Sequence, residues 1–383
     1  MQKRNIYLMY AISLLQGMVF YAPVATLYRQ AQGVTIFQIT VIESISLFLC
    51  MALELPWGII ADRIGYKKTM ILCNLLYFVS KIVFWKADGF GAFLVERILL
   101  SVVCAGLSGV DASVLYLSCP EGESQKVFSI YNGLGTVGLL VTSLVYSLFI
   151  GNHYRLAGFL TVVSYGIAMV LSFGLKEVKK ETKGQEPDPM EEFVGVLKTT
   201  IKNRQLFCFL LGIAIFNEVH QTVTVFLSQL QYVRAGIGNS MMGILYGLLT
   251  VLSLCSFYSD KWTKRMGEHR MMLGCFFLAL CSCGILTVTK NPVLSVGAIV
   301  LLRIGFSLAQ PLQQELQNRQ ISTENRATAL SVQSVFMDSI GIGTNMIFGA
   351  LAEKSLSISF GFGTFSMILA VILYLTWKRA EQT

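Results

Sequence analysis

Long apolar runs recur along the whole chain with only short polar gaps between them, and this recurrence constrains the fold more than any single motif. Twelve runs fall at about 6–28, 38–60, 69–87, 91–117, 125–150, 155–175, 205–232, 238–259, 270–289, 293–317, 327–351 and 356–377. Each is long enough to cross the roughly 30 Å of bilayer hydrocarbon at about 1.5 Å per helical residue. The runs are continuous and do not alternate in pieces of about ten residues, so they read as helices and not as barrel strands. Composition agrees. Of 383 residues, 54% are hydrophobic and 14% charged, where a soluble domain carries about 25% charged residues. The first run, Ile6 to Leu27, is longer than a signal-peptide core and is followed by no small-residue cleavage site, so it reads as a span. The predicted fold class is an all-α membrane protein with twelve transmembrane helices, and lipid is its first partner.

Charge sets the expected orientation. With the N-terminus inside, 21 of the 30 Lys and Arg fall in cytoplasmic segments, 6 in outer loops (Arg29 among them) and 3, Lys81, Arg97 and Arg303, within spans. The bias places both termini in the cytoplasm of a multi-pass protein. The net charge of +8 is therefore topological, and no nucleic-acid surface is expected. Nine cysteines without CxxC spacing predict neither a disulfide framework nor a metal site. No cofactor is expected.

One segment breaks the rhythm. From Lys176 to Arg204 the chain turns polar, with Gly184, Pro187 and Pro189 marking a flexible stretch. Phe193, Leu197 and Ile201 then recur every four residues, which predicts a short amphipathic helix on the inner membrane surface. The division predicts an N-terminal six-helix bundle over 1–175, a linker over 176–204 and a C-terminal six-helix bundle over 205–383.

The two halves carry matching marks. Gly58-Ile59-Ile60-Ala61-Asp62-Arg63-Ile64-Gly65-Tyr66-Lys67-Lys68 follows span two. Ser256-Phe257-Tyr258-Ser259-Asp260-Lys261 follows span eight, with Gly267 four residues later than the first copy would place it. Span four holds Arg97-Ile98-Leu99-Leu100-Ser101, and span ten holds Arg303-Ile304-Gly305-Phe306-Ser307. The first of these stretches resembles the signature loop G-x-x-x-D-R-x-G-R-K of the major facilitator superfamily, with Tyr66 in place of the usual Arg. The resemblance implies two six-helix bundles working by alternating access. It implies that Asp62 caps a helix of the other bundle, near the start of span eleven, and that Gly58, Arg63, Gly65, Lys67 and Lys68, with Asp260 as the second copy, serve an inner gate. The lysines alone would equally serve topology. Leu94 and Arg97 match the family's span-four motif, with Ser101 replacing its Gly. Span five, Asn132-Gly133-Leu134-Gly135-Thr136-Val137-Gly138, lacks the Gly-Pro of the family's antiporters, and its glycines read as close helix packing. Gly243 and Gly247 in span eight read the same way. Ser108 to Tyr116 resembles a bacterial subgroup of drug exporters.

A charge inside a span costs about 2.5–3.5 kcal/mol on insertion scales and needs a partner or a watery cavity. Lys81 and Glu96 can pair locally, and Glu54 belongs with the gate. Glu43, Arg97, Asp111, Glu218, Arg303 and Asp338 are candidates for proton or substrate handling. Polar stripes at helical spacing run through span seven (Asn217, Gln221, Thr224, Ser228), span ten (Arg303, Ser307, Gln310, Gln314, Gln317) and span eleven (Ser331, Ser334, Asp338, Asn345). Such a face either joins helices or lines a water-filled cavity. By resemblance, spans one, four, seven and ten surround the cavity, so Gln16, Asn217, Gln221, Gln310 and Gln314 are expected to line it. His220 reads as a packed histidine. The three histidines are too scattered for a catalytic group, and no catalytic residue is expected; no repeated filter suggests a channel. The expected function is proton-coupled secondary transport of a small molecule by a monomer in a bacterial inner membrane. Export of amphipathic molecules leads on aromatic content, 25 Phe and 15 Tyr. Uptake of a polar nutrient is the alternative, from the Gln- and Asn-rich lining.

Overall fold

The computed structural model describes residues 2–119, 124–178, 198, 202–320 and 326–381. Among them are twelve helices long and apolar enough to cross a membrane. They are α1 (Lys3–Ala31), α2 (Ile36–Ile64), α3 (Tyr66–Lys86), α4 (Gly89–Ser118), α5 (Lys126–Ile150), α6 (Tyr154–Ser172), α7 (Arg204–Arg234), α8 (Asn239–Met266), α9 (Glu268–Val288), α10 (Pro292–Arg319), α11 (Arg326–Lys354) and α12 (Leu356–Glu381). Large apolar side chains stand exposed on many of them, Phe149, Phe257, Val288 and Val293 each by more than three quarters. Water does not tolerate so much exposed apolar surface, and lipid does. Phe193, Leu197 and Ile201 of the predicted surface helix lie outside the described residues.

The residues group into two compact units, Met1–Thr182 with Gly238–Thr250, and Lys183–Ile237 with Val251–Thr383. Within the first, α1 packs on α5 and α6, α2 on α4, and α3 on α4 and α6. Within the second, α7 packs on α11 and α12, the end of α8 on α10, and α9 on α10 and α12. Adding six to each helix number of the first set gives the second, so the internal repeat seen as scattered sequence marks is a repeat of packing.

The hinge glycines show the repeat most plainly. The stretch expected as a loop after span two is a single residue. Helix α2 continues to Ile64, Gly65 turns the chain at φ 91°, and α3 begins at Tyr66. Gly267 does the same between α8 and α9 at φ 85°. Only glycine adopts such angles without strain. The extra residues before Gly267 form the helical turn Ser259–Met266, which absorbs the offset between the copies.

Small residues also explain why Gly238–Thr250 groups with the first unit. A Cβ on Gly243 would lie 2.7 Å from the Ser143 carbonyl oxygen of α5. Asn239 donates to Asn152 at 2.9 Å and to the Tyr154 hydroxyl at 2.6 Å. On the opposite side of α5, a Cβ on Gly138 would lie 2.5 Å from the Leu14 carbonyl oxygen, so α1 packs there backbone to backbone.

Candidate functional site

In the first unit, five charged side chains converge. Glu43 of α2 lies between two guanidiniums: Arg97 of α4 donates to its Oε2, and Arg29 of α1 stands 3.6 Å from its Oε1. Lys81 of α3 lies 3.8 Å from Glu96 of α4 and donates to the Tyr21 hydroxyl at 3.1 Å. Its ammonium also faces the rings of Tyr77 and Tyr165, 5.0 and 5.2 Å from their centroids. Tyr21 stacks on Phe84 with centroids 3.8 Å apart, Arg29 lies 5.6 Å from the same Phe84 ring, and Glu96 and Arg97 are consecutive on α4, so the two ion-paired groups adjoin as one cluster. Arg29, Glu43, Lys81 and Glu96 are all buried.

Arg29 corrects the sequence reading, which placed it in an outer loop. The first span does not end where its apolar run ends. It breaks after Gly17, makes a short tight turn over Ala22–Val24 around Pro23, and resumes over Ala25–Ala31. The resumed segment carries Arg29 inward to Glu43. The outer loops thus lose one of the basic residues counted against the charge bias, which sharpens that bias.

Other candidates of this unit are held separately. A left-handed Gly109, φ 77°, divides α4, so Asp111 opens a new segment. There Asp111 accepts from the Ala112 amide at 2.7 Å and from the Tyr131 hydroxyl at 3.3 Å. An acid in the first turn of a helix suits the helix dipole. Gln16 of α1 donates to Asn74 of α3 at 2.9 Å, and its carbonyl accepts from Tyr165. Of the signature stretch, Arg63 and Lys68 are exposed. The Lys67 amide donates at 3.2 Å to Glu177, a partner that sequence reasoning did not find. The surroundings of Gly58 and the side chain of Asp62 lie outside what the structure describes, so the expected cap by Asp62 stays an expectation.

The second unit builds its site around α7. Glu218, buried, accepts a 2.7 Å hydrogen bond from Thr222, whose hydroxyl is also 3.4 Å from Asn345 of α11. A Cβ on Gly341 would lie 2.9 Å from Glu218 Oε2, so the absent side chain leaves the carboxyl its room. His220 stacks flat on Phe306 of α10, centroids 3.6 Å apart, and its Nε2 is 3.3 Å from Arg303. A guanidinium only donates, so this nitrogen accepts and the ring is neutral, with its proton on Nδ1. His220 thus orients Arg303 as well as packing. Immediately after Gln221 the helix widens into a π-helical turn over Thr222–Leu227. Such turns concentrate at functional sites.

Thr224 and Ser228 bond back to the carbonyls of His220 and Thr224. Asn217 is half-buried and Gln221 exposed. On α10, Gln310 and Gln314 are exposed, while Ser307 and Gln317 of the same stripe are buried. Asp338 is half-buried on α11. Asp260 pairs with Lys264 at 2.7 Å on an exposed turn.

Twelve spans, a repeated packing pattern and buried charges held in each repeat define a multi-pass carrier of small molecules. The chain belongs to the Major Facilitator Superfamily, whose family model matches residues 6–344, and it is a secondary transporter of that family. It is 20% identical over 393 aligned positions to an uncharacterized MFS-type transporter of Methanocaldococcus jannaschii, covering 98% of this chain and 99% of that protein. Among solved structures it is similar to a mutant form of the nucleoside transporter NupG, with a TM-score of 0.84, 12% identity, and coverage of 97% of this chain and 99% of that one. It is also similar to a D-xylose-proton symporter, with a TM-score of 0.71, 13% identity, and 96% of each chain covered. At these identities the likeness is one of fold.

Proposed function

We propose that this carrier takes up a polar, hydrogen-bonding small molecule together with protons, by alternating access between six-helix bundles at 1–175 and 205–383. The observation that carries this reading is the chemistry of the buried positions. Each repeat keeps ionised or strongly hydrogen-bonding groups in its spans: the Arg29–Glu43–Arg97 and Lys81–Glu96 cluster in one, and Glu218–Thr222–Asn345 with Arg303–His220 in the other. Burial of such groups is tolerated where they serve a polar solute or a proton. An amphipathic drug would be met by open aromatic surface. Tyr28, Phe84, Phe93, Phe216, Phe276 and Phe348 are fully buried in packing within each unit. Uptake of a polar solute is preferred over export of amphipathic molecules on the buried polar groups alone. NupG and the D-xylose-proton symporter, of the same fold, are named for polar solutes.

Glu218 is the proposed coupling group, with Asp338 the parallel candidate. Its hydroxyl partner, Thr222, can donate to a carboxylate or accept from a carboxylic acid, so either protonation state finds a hydrogen bond. The gate is assigned to Asp62, Arg63, Lys67 and Lys68, with both termini in the cytoplasm of a bacterial cell and the protein acting as a monomer. The test is Glu218→Gln in proteoliposomes. Gln keeps shape and most hydrogen bonding but does not titrate. Proton-driven accumulation should disappear while solute-for-solute exchange persists. Uphill uptake with an unchanged pH profile would remove Glu218 from the mechanism.

A further inference from the structure

The charge cluster of the first unit does not balance. Arg29, Lys81 and Arg97 are three cations, and Glu43 and Glu96 are two carboxylates. The arginines cannot be deprotonated in a protein. Lys81 is surrounded by three tyrosine rings, a phenolic oxygen and Glu96, a setting that suits an ammonium. The other charges near this end of the unit, Lys86, Asp88 and Arg155, are exposed. Among the described residues, the cluster therefore carries one more cation than carboxylates.

The surplus has a place. The side chains of Arg29 and Lys81 are 5% and 4% exposed, while that of Arg97 is 24% exposed. One terminal nitrogen of Arg97 engages Glu43; its Nε, like that of Arg29, is shielded and meets no acceptor among the described residues, so the open part of the side chain is the rest of its guanidinium. Glu43 thus holds the guanidinium from one side and leaves donors to spare. A guanidinium fork with spare donors matches two oxygens of a carboxylate or phosphate.

We propose that Arg97 is an anion-binding residue: a carboxylate or phosphate on the transported solute, or a free anion of the same chemistry, docks on its open side and neutralises the surplus charge. This rests on the polar-solute reading above and narrows the substrate to an anionic one. Glu43 is then a positioning residue, and Glu96 sets the size of the surplus.

The test uses the purified full-length carrier in detergent and chloride-free Tris–HEPES, with its thermal unfolding midpoint as the readout. Matched probes are glucose and glucuronate, glycerol and glycerol 3-phosphate, uridine and uridine monophosphate, with chloride and phosphate as free anions. At least one organic anion should raise the midpoint at concentrations where its neutral partner does not. Arg97→Gln should weaken that effect about tenfold or more, the loss of one charge-assisted contact, and Arg97→Lys should restore part of it. Glu96→Gln, which adds a positive charge without touching the docking residue, should strengthen it. That variant and the wild-type panel decide the matter even if Arg97→Gln does not fold. Stabilisation by chloride or phosphate that no organic anion exceeds would support the site and assign it to a free anion. Stabilisation by neutral members alone would overturn the anion site and leave the polar-solute reading standing. Silence from every probe would also overturn it, and the polar-solute reading would then be judged separately by uptake of the neutral members into proteoliposomes.

Discussion

The two units hold buried polarity in different ways. In the first, charge meets charge: Glu43 is gripped by two guanidiniums, and Lys81 is set against Glu96. In the second, Glu218 meets the Thr222 hydroxyl, which can donate or accept, and Arg303 meets the neutral His220 ring in place of a carboxylate. Arginine neither titrates nor accepts, so the first arrangement is fixed in its pattern of donors. The second holds one bond that can reverse as a proton arrives or leaves, that between the Thr222 hydroxyl and the Glu218 carboxyl. The difference suggests a division of labour, a rigid electrostatic frame in one repeat and a responsive site in the other.

Removing the central carboxylate puts that contrast under the greatest load. Glu43→Ala leaves the buried Arg29 guanidinium and the partly exposed Arg97 guanidinium without their carboxylate, and losing one partner of a buried pair costs roughly 3–5 kcal/mol. Thermal unfolding of the purified variant should show a collapse in stability, while Glu218→Gln should stay close to wild type. Equal effects would erase the distinction between frame and responsive site. Next in size, Gly243→Leu pushes a side chain into the Ser143 backbone, and overpacking of this kind costs about 1–3 kcal/mol. The same measurement should register it, and Gly133→Leu, where a Cβ meets open space, should not. Thr222→Val removes the donor to Glu218 and should cost about 1–3 kcal/mol, the penalty of an unsatisfied buried group. Thr222→Ser should recover stability and transport together. The smallest effect belongs to Arg319, half exposed between Glu268 and Glu315. Exposed pairs contribute about 0–1 kcal/mol, so Arg319→Gln should leave the unfolding midpoint nearly unmoved, with a slightly larger shift at low salt.

The spans were legible because lipid imposes one rule on every residue of a helix, and a run of about twenty apolar side chains shows it without help from tertiary structure. The hinge at Gly65 and its copy at Gly267 were legible for a similar local reason, since a left-handed turn asks for glycine. The same economy exposed Glu43, Arg97, Glu218 and Arg303, because a charge inside an apolar run is conspicuous by itself.

Features that depend on neighbours from other helices were not legible. Arg29 comes after an apolar run that ends at Tyr28, and nothing local says that the helix resumes and turns inward. The only hint was Pro23, which allows a tight turn but does not aim it. Of the rings around Lys81, Tyr77 sits at helical spacing on the same helix, whereas Tyr21 and Tyr165 come from α1 and α6. The wide turn over Thr222–Leu227 contains neither Gly nor Pro, so the stripe in span seven was read with an even period through a stretch where the period changes. Glu177 was assigned to the polar linker on composition, and its bond to the Lys67 amide joins residues 110 positions apart.

Inward movement of polar solute and protons together can be measured on the purified carrier in liposomes loaded with a pH-sensitive dye, with polar and amphipathic solutes added outside in turn. A polar solute should acidify the lumen, the signal should saturate with solute concentration, and Glu218→Gln should abolish it. Proton movement evoked only by amphipathic solutes and directed outward would contradict coupled uptake.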